Sequence, residues 1–253
     1  MCVSCFRVAL AILISFALGI SAAHANTKRI MVFGDSNSWG WVPVPEVAPT
    51  TRYPPDIRWP GVMRDTLGDS YEVIEETLPG RNASRDDQGV PISGSGIEGD
   101  GAGMNGSSYL PAAIASHFPL DVIIIMLGTN DAKEEHGLTP LDIGLNIMKL
   151  GSEASQNTGV FTKYEPSRVL IVVPPPIGEI SVEWLAESYS RNSVEKSKQL
   201  ASVLEPMTRA AGFGFFDAGS VAKIDGIDGL HMSPESHAAI GKAVARVVSD
   251  MLN

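Results

Sequence analysis

Cysteine is almost absent from this chain: two residues in 253, Cys2 and Cys5, both near the start. Everything downstream of them lacks a thiol nucleophile, a disulfide and a cysteine zinc ligand. Basic residues are also scarce, with 19 Lys and Arg against 29 Asp and Glu and a net charge of −10. That balance argues against nucleic acid and anionic lipid surfaces as partners. Histidine occurs five times, with no His-x-x-x-His pair, and there is no EF-hand loop, so no metal and no other cofactor is expected. Asp86-Asp87 reads as a solvated turn.

Long apolar runs are missing too. Val8 to Ile20, interrupted by Ser15 and Gly19, falls short of the roughly 20 residues that span a bilayer. Preceded by Arg7 and followed by Ala23-His24-Ala25, it reads as a secretory signal peptide over residues 1–25, with cleavage expected after Ala25. No cysteine follows it as a lipidation site would require, so no stable membrane anchor is expected. The remaining 26–253 suits one domain that is periplasmic or secreted and large enough to bury a core without disulfides.

What is present is an alternation of short apolar runs and helical patterns. Strands are expected at 28–33, 71–77, 121–127, 168–173 and 214–216, and helices at 59–67, 141–155, 187–211 and 234–252. The run Val122 to Leu127 shows no polar alternation, as a central parallel strand covered on both faces would read. Ser233 followed by Pro234 marks the start of the last helix. The pattern predicts an α/β fold, a parallel sheet with helices on both faces. Two stretches stand outside it, the proline-rich 42–58 and the glycine-rich 82–108, read as walls or lids of a site or as contacts with another subunit.

In such sheets ligands bind at the carboxyl ends of the strands, where this chain places polar residues. Ser36 follows the first strand, Gly80 the second, Gly128-Thr129-Asn130-Asp131 the third, and Asp228 with His231 the fifth. A serine hydroxyl needs an imidazole to take its proton, and the imidazole needs a carboxylate to hold its tautomer. Asp228, three residues before His231, can reach back to Nδ1 within one turn, while Asp225 is a more distant rival. His117 lies at the wrong end of the third strand, His136 at the rim and His237 within the last helix. Each motif alone is weak, since Gly-Asp-Ser is ordinary turn chemistry. Asp35 and Asp131 read as residues that tie loops to the backbone.

The segment does not fit Gly-x-Ser-x-Gly, because Ser38 stands where the second glycine belongs. Gly34-Asp35-Ser36, Gly80 within Leu78-Pro79-Gly80-Arg81-Asn82, Gly128-Thr129-Asn130-Asp131 and Asp228-Gly229-Leu230-His231 resemble, in order, the blocks of the SGNH (GDSL) hydrolases. The resemblance implies a three-layer α/β/α domain with a five-stranded parallel, flavodoxin-like sheet. It implies Ser36 as nucleophile, His231 as base and then acid, and Asp228 as its orienting carboxylate. The oxyanion hole would comprise the N–H groups of Ser36 and Gly80 and the amide of Asn130.

Trp39-Gly40-Trp41, Ser107 to Pro111 and Asp217 to Ser220 are similar to the branch containing bacterial arylesterases, carbohydrate acetylesterases and acyltransferases with perhydrolase activity, which often form homo-oligomers. That implies a serine esterase acting on short acyl esters, acetyl above all, of carbohydrates or small aryl alcohols. A periplasmic thioesterase or lysophospholipase of the same fold, or a catalytically silent carbohydrate-binding module, are the alternatives. Asn37 departs from the family, which has leucine or isoleucine after the serine; Asn37, Trp39 and Trp41 are expected to line the substrate pocket.

Overall fold

A computed structural model of the chain describes residues 27–46, 50–86, 102–159 and 163–253. The expected signal peptide and its cleavage point lie outside the described residues, as do 47–49 and 87–101 of the two long loops. Five strands form one sheet: β1 Lys28–Gly34, β2 Tyr71–Thr77, β3 Val122–Met126, β4 Arg168–Val173 and β5 Gly214–Asp217. Their order is β2-β1-β3-β4-β5 and every pairing is parallel. The helices are α1 Ser36–Trp39, α2 Trp59–Leu67, α3 Gly106–His117, α4 Pro140–Gln156, α5 Glu183–Ala186, α6 Arg191–Ala211 and α7 Pro234–Leu252.

The central strands are apolar on both faces because successive side chains enter different cores. Met31 and Phe33 of β1, Ile123 and Ile125 of β3, and Ile171 and Val173 of β4 pack with Leu110 of α3, Ile147 of α4 and Leu200 of α6. Their neighbours Ile30, Val32, Val122, Ile124, Leu170 and Val172 pack with Trp59 and Met63 of α2 and Ile240 and Val244 of α7. The sheet is thus the middle of three layers. Among the described residues no helix is long and apolar enough to cross a membrane.

Two helices differ from expectation. The stretch after the glycine-rich loop is helical over Gly106–His117, started by Asn105, whose side chain accepts N–H groups of Ser107 and Ser108. The helix expected from 187 starts at Arg191, where Ser190 forms a capping box with Ser193, and the separate turn α5 precedes it.

Register sets the site. Gly34 pairs with Met126 on one side and Thr77 on the other, so the segments leaving β1, β2 and β3 emerge side by side. The strand order reverses between β1 and β3, the switch point at which doubly wound sheets open a crevice.

Candidate active site

Ser36 owes its place to the residues around it. A Cβ on Gly34 would lie 2.3 Å from Ser38 Oγ, so only glycine lets α1 fold back this closely over the strand end. Asp35 caps the turn: its Oδ1 accepts Asn37 N–H at 2.9 Å, and its carbonyl accepts Ser38 N–H at 3.1 Å and Trp39 N–H at 2.8 Å. Gly40 ends it in the left-handed region, φ +90°, returning its N–H to Ser36 O.

His231 Nε2 lies 3.0 Å from Ser36 Oγ, and His231 Nδ1 lies 2.7 Å from Asp228 Oδ2. Asp228 Oδ1 accepts the N–H groups of Leu230 and His231, each at 2.9 Å. Burial alone would raise the Asp228 pKa, but the imidazole and the two backbone donors outweigh it and hold the carboxyl below its usual value. An ionised carboxylate only accepts, so the proton sits on Nδ1 and Nε2 is left to accept from Ser36. The rival Asp225 is committed elsewhere, accepting Ser233 N–H and Oγ–H, both at 2.8 Å, and Ser236 Oγ–H at 3.1 Å at the start of α7.

Gly80 and Asn130 lie on the segments that leave the neighbouring strands β2 and β3. Gly80 sits at φ +84°, a conformation glycine adopts without cost, in a turn fixed by Leu78 N–H to Gly34 O at 3.0 Å. Arg81, buried, donates from its guanidinium to the carbonyls of Gly34 and Glu76 and lies 4.2 Å over the Phe33 ring. Burial lowers its pKa to about 10, opposed by Glu76, so it stays cationic at neutral pH. Asn130 Nδ2 donates to Arg81 O at 3.1 Å and lies 3.5 Å from Asp35 Oδ2, while its Oδ1 accepts the Tyr189 hydroxyl at 3.0 Å. Burial, partly offset by the Asn37 N–H, raises the Asp35 pKa to about 7. Burial also raises that of Asp131 to about 6, against the N–H of Ala83, which Asp131 Oδ1 accepts at 2.9 Å.

The three expected pocket residues are placed differently from one another. Asn37 is only 1% exposed and donates from Nδ2 to Leu230 O at 3.1 Å, tying the Ser36 turn to the histidine loop. Trp41 stacks on the His231 imidazole, centroids 5.3 Å apart and planes 16° apart. Trp39 lies 6.2 Å from Trp41 on one side and Trp184 of α5 lies 6.4 Å away on the other, with the Arg52 guanidinium 5.2 Å over Trp39. No local pattern in the sequence gives Trp184, Tyr189 or the side chain of Arg81 a place in the site.

The other three described histidines are engaged away from Ser36. His117 Nε2 lies 2.6 Å from Glu76, and His136 is buried in a short 3-10 turn, Glu134–His136. His237 Nδ1 accepts Trp59 N–H at 3.3 Å, and burial, reinforced by His231, lowers its pKa to about 4. Among the described residues no cluster of three His, Cys, Asp or Glu could hold a metal ion.

No curated protein matches the chain. Solved structures do. A carbohydrate acetylesterase from Sinorhizobium meliloti is 40% identical, with a TM-score of 0.82 over 89% of this chain and 100% of that one. The native M. smegmatis aryl esterase is 41% identical, with a TM-score of 0.80 over 88% and 99%. A carbohydrate acetylesterase family member, also from Sinorhizobium meliloti, is 32% identical, with a TM-score of 0.78 over 89% and 99%. The sequence profile of the GDSL-like lipase/acylhydrolase family matches residues 30–244, from β1 through Ser36 and His231 into α7. With that span matched, and with identities of this size over nearly the whole of both chains, the protein belongs to the GDSL-like lipase/acylhydrolase family and is a carboxylic ester hydrolase.

Proposed function

We propose that the protein is a serine esterase that removes short acyl groups, acetyl above all, from carbohydrates or small aryl alcohols through an acyl-enzyme. One observation carries the reading: the unbroken line of contacts from Ser36 Oγ to His231 Nε2 at 3.0 Å and from His231 Nδ1 to Asp228 Oδ2 at 2.7 Å. Ser36 Oγ attacks the ester carbonyl as its proton passes to Nε2, and Asp228 stabilises the imidazolium that forms. The carbonyl oxygen gains charge and is met by the N–H groups of Ser36 and Gly80 and the Nδ2 of Asn130. His231 then protonates the departing alcohol. A water activated by the same imidazole releases the acid, and an alcohol or peroxide in its place would give acyl transfer or perhydrolysis.

The choice of acetyl and of carbohydrate or aryl alcohol follows what the similar solved enzymes are named for. It also suits the indole of Trp41, stacked on His231 and flanked by Trp39 and Trp184, an aromatic wall for a ring. In this reading residues 1–25 direct the chain to the periplasm or medium and the protein acts as a homo-oligomer.

Ser36→Ala should cut hydrolysis of p-nitrophenyl acetate by at least about 10,000-fold with the circular dichroism spectrum unchanged. Turnover retained in that variant would remove Ser36 as nucleophile. Rates should fall from acetyl to butyryl to octanoyl esters. A rise along that series would point to a thioesterase or lysophospholipase, and failure of a fluorophosphonate probe to label Ser36 would point to a silent binding module.

A further inference from the structure

The oxyanion site needs an N–H at a fixed point, and an asparagine amide can be turned the wrong way round. Two contacts decide its orientation here. Arg81 O, at 3.1 Å, is a carbonyl and can only accept, so it selects the NH2 end of Asn130. Tyr189 Oη, 3.0 Å from Oδ1, supplies the opposite end with the donor it needs. The amide plane is thereby held at both ends, which stops rotation about Cβ–Cγ. One Nδ2 hydrogen is spent on Arg81 O. The other makes only a long bond, 3.5 Å, to Asp35 Oδ2, which a substrate oxygen at the oxyanion position would replace.

Tyr189 is itself rigidly placed. It is 3% exposed, lies between α5 and α6, and its N–H bonds Leu185 O at 2.9 Å. The residues on either side of it grip the chain just beyond Asn130: Ser188 O accepts Glu134 N–H at 2.9 Å, and Ser190 Oγ donates to Glu134 Oε1. The tyrosine and the asparagine, 59 residues apart in sequence, therefore move as one piece.

We propose that Tyr189 is a positioning residue of the oxyanion site, orienting the Asn130 amide and, by donating to Oδ1, making its Nδ2–H a stronger donor. Polarisation along a chain of hydrogen bonds supplies the second effect. The proposal rests on the reading of Asn130 as an oxyanion donor. It deepens that reading by naming the group that keeps the donor aimed.

The test is a double-mutant cycle on p-nitrophenyl acetate hydrolysis with Tyr189→Phe and Asn130→Ala. Asn130→Ala should lower kcat about 100-fold or more, the cost of losing one oxyanion donor. Tyr189→Phe keeps the ring and removes only the hydroxyl; it should lower kcat about 10-fold and leave KM within about two-fold, because the contact it supports forms in the transition state. In the Asn130→Ala background Tyr189→Phe should cost nothing further. A Tyr189→Phe enzyme with wild-type kcat would overturn the proposal. An equal loss in both backgrounds would overturn it too, since that is what a purely structural hydroxyl gives. If Asn130→Ala itself leaves kcat intact, the underlying assignment of Asn130 fails, an outcome separate from either of those.

Discussion

The carboxyls of Asp35 and Asp131 lie buried on either side of Asn130, held for the backbone groups they accept. Asp131 shows what that costs. Its Oδ1 accepts Ala83 N–H, which anchors the loop leaving Gly80, while its buried Oδ2 has no hydrogen-bond partner among the described residues. Burial raises its folded pKa to about 6, against an ordinary value of 3.8. Between those values the folded chain keeps a proton that the unfolded chain has released, so stability falls as pH rises through that window and stays lowered above it. Asp131→Asn preserves an oxygen for Ala83 and removes the charge. The variant should therefore gain on the wild type by on the order of 1 to 3 kcal/mol between about pH 4 and pH 7.5, measured by urea unfolding. A gap that does not change with pH would refute the cost assigned to this carboxylate. The same scale explains which parts of the site could be read in advance. Ser36, Gly80, Asn130, Asp228 and His231 each sit in a short motif just past a strand. Tyr189 and Arg81 act through contacts to distant chain, Tyr189 to Asn130 and Arg81 to the Gly34 carbonyl and the Phe33 ring, and no local pattern encodes such pairs.

Among the elements, α2 and α7 meet at Gly241, which faces Val62 and the Trp59 carbonyl. A Cβ on Gly241 would lie 2.6 Å from Val62 Cβ and 2.7 Å from Trp59 O, and the backbone oxygen cannot move without disturbing the start of α2. Trp59 N–H is also the group that His237 of α7 accepts, so the same approach that needs glycine at 241 seats the buried imidazole. Alanine at 241 would improve helix propensity by about 1 kcal/mol, yet overpacking a rigid contact costs about 1 to 3 kcal/mol. Gly241→Ala should thus be net destabilising by about 1 kcal/mol in urea unfolding; a neutral or stabilised variant would show that the two helices can separate freely. Both helices were legible in the sequence, α7 from Ser233-Pro234 and α2 from its amphipathic pattern, and their spans match. The helix α3 was not, because it opens on Gly106 and carries Pro111 inside its first turns. Gly106 lies in the glycine-rich stretch read as a loop, and the helix forms because Asn105 caps it and Leu110 and Ile114 find the core.

For the molecule as a whole, alternating strands and helices made a parallel sheet readable, whereas the strand order depends on which helices cover which face. That order brings the loops after β1, β2 and β3 to one edge; charge decides what reaches that edge. Acidic residues outnumber basic ones 29 to 19 over the chain. Ion pairing does not remove that excess: Arg29 pairs with Glu72 and Lys28 with Asp121, while Arg52 and Arg58 share Glu75. The excess negative charge is left to act on approaching substrate. At low ionic strength the field extends about 30 Å, and it contracts to under 10 Å at physiological salt. A neutral ester such as p-nitrophenyl acetate should not sense it, but an ester whose acyl group ends in a carboxylate should be repelled. Raising salt from about 10 mM to about 300 mM should increase kcat/KM for the anionic ester roughly 3- to 10-fold and move that for the acetate by less than about two-fold. Because only kcat/KM contains the approach from solution, kcat for both esters should stay flat across the series. Parallel salt responses of the two substrates would mean that the acidic surface does not select substrates by charge.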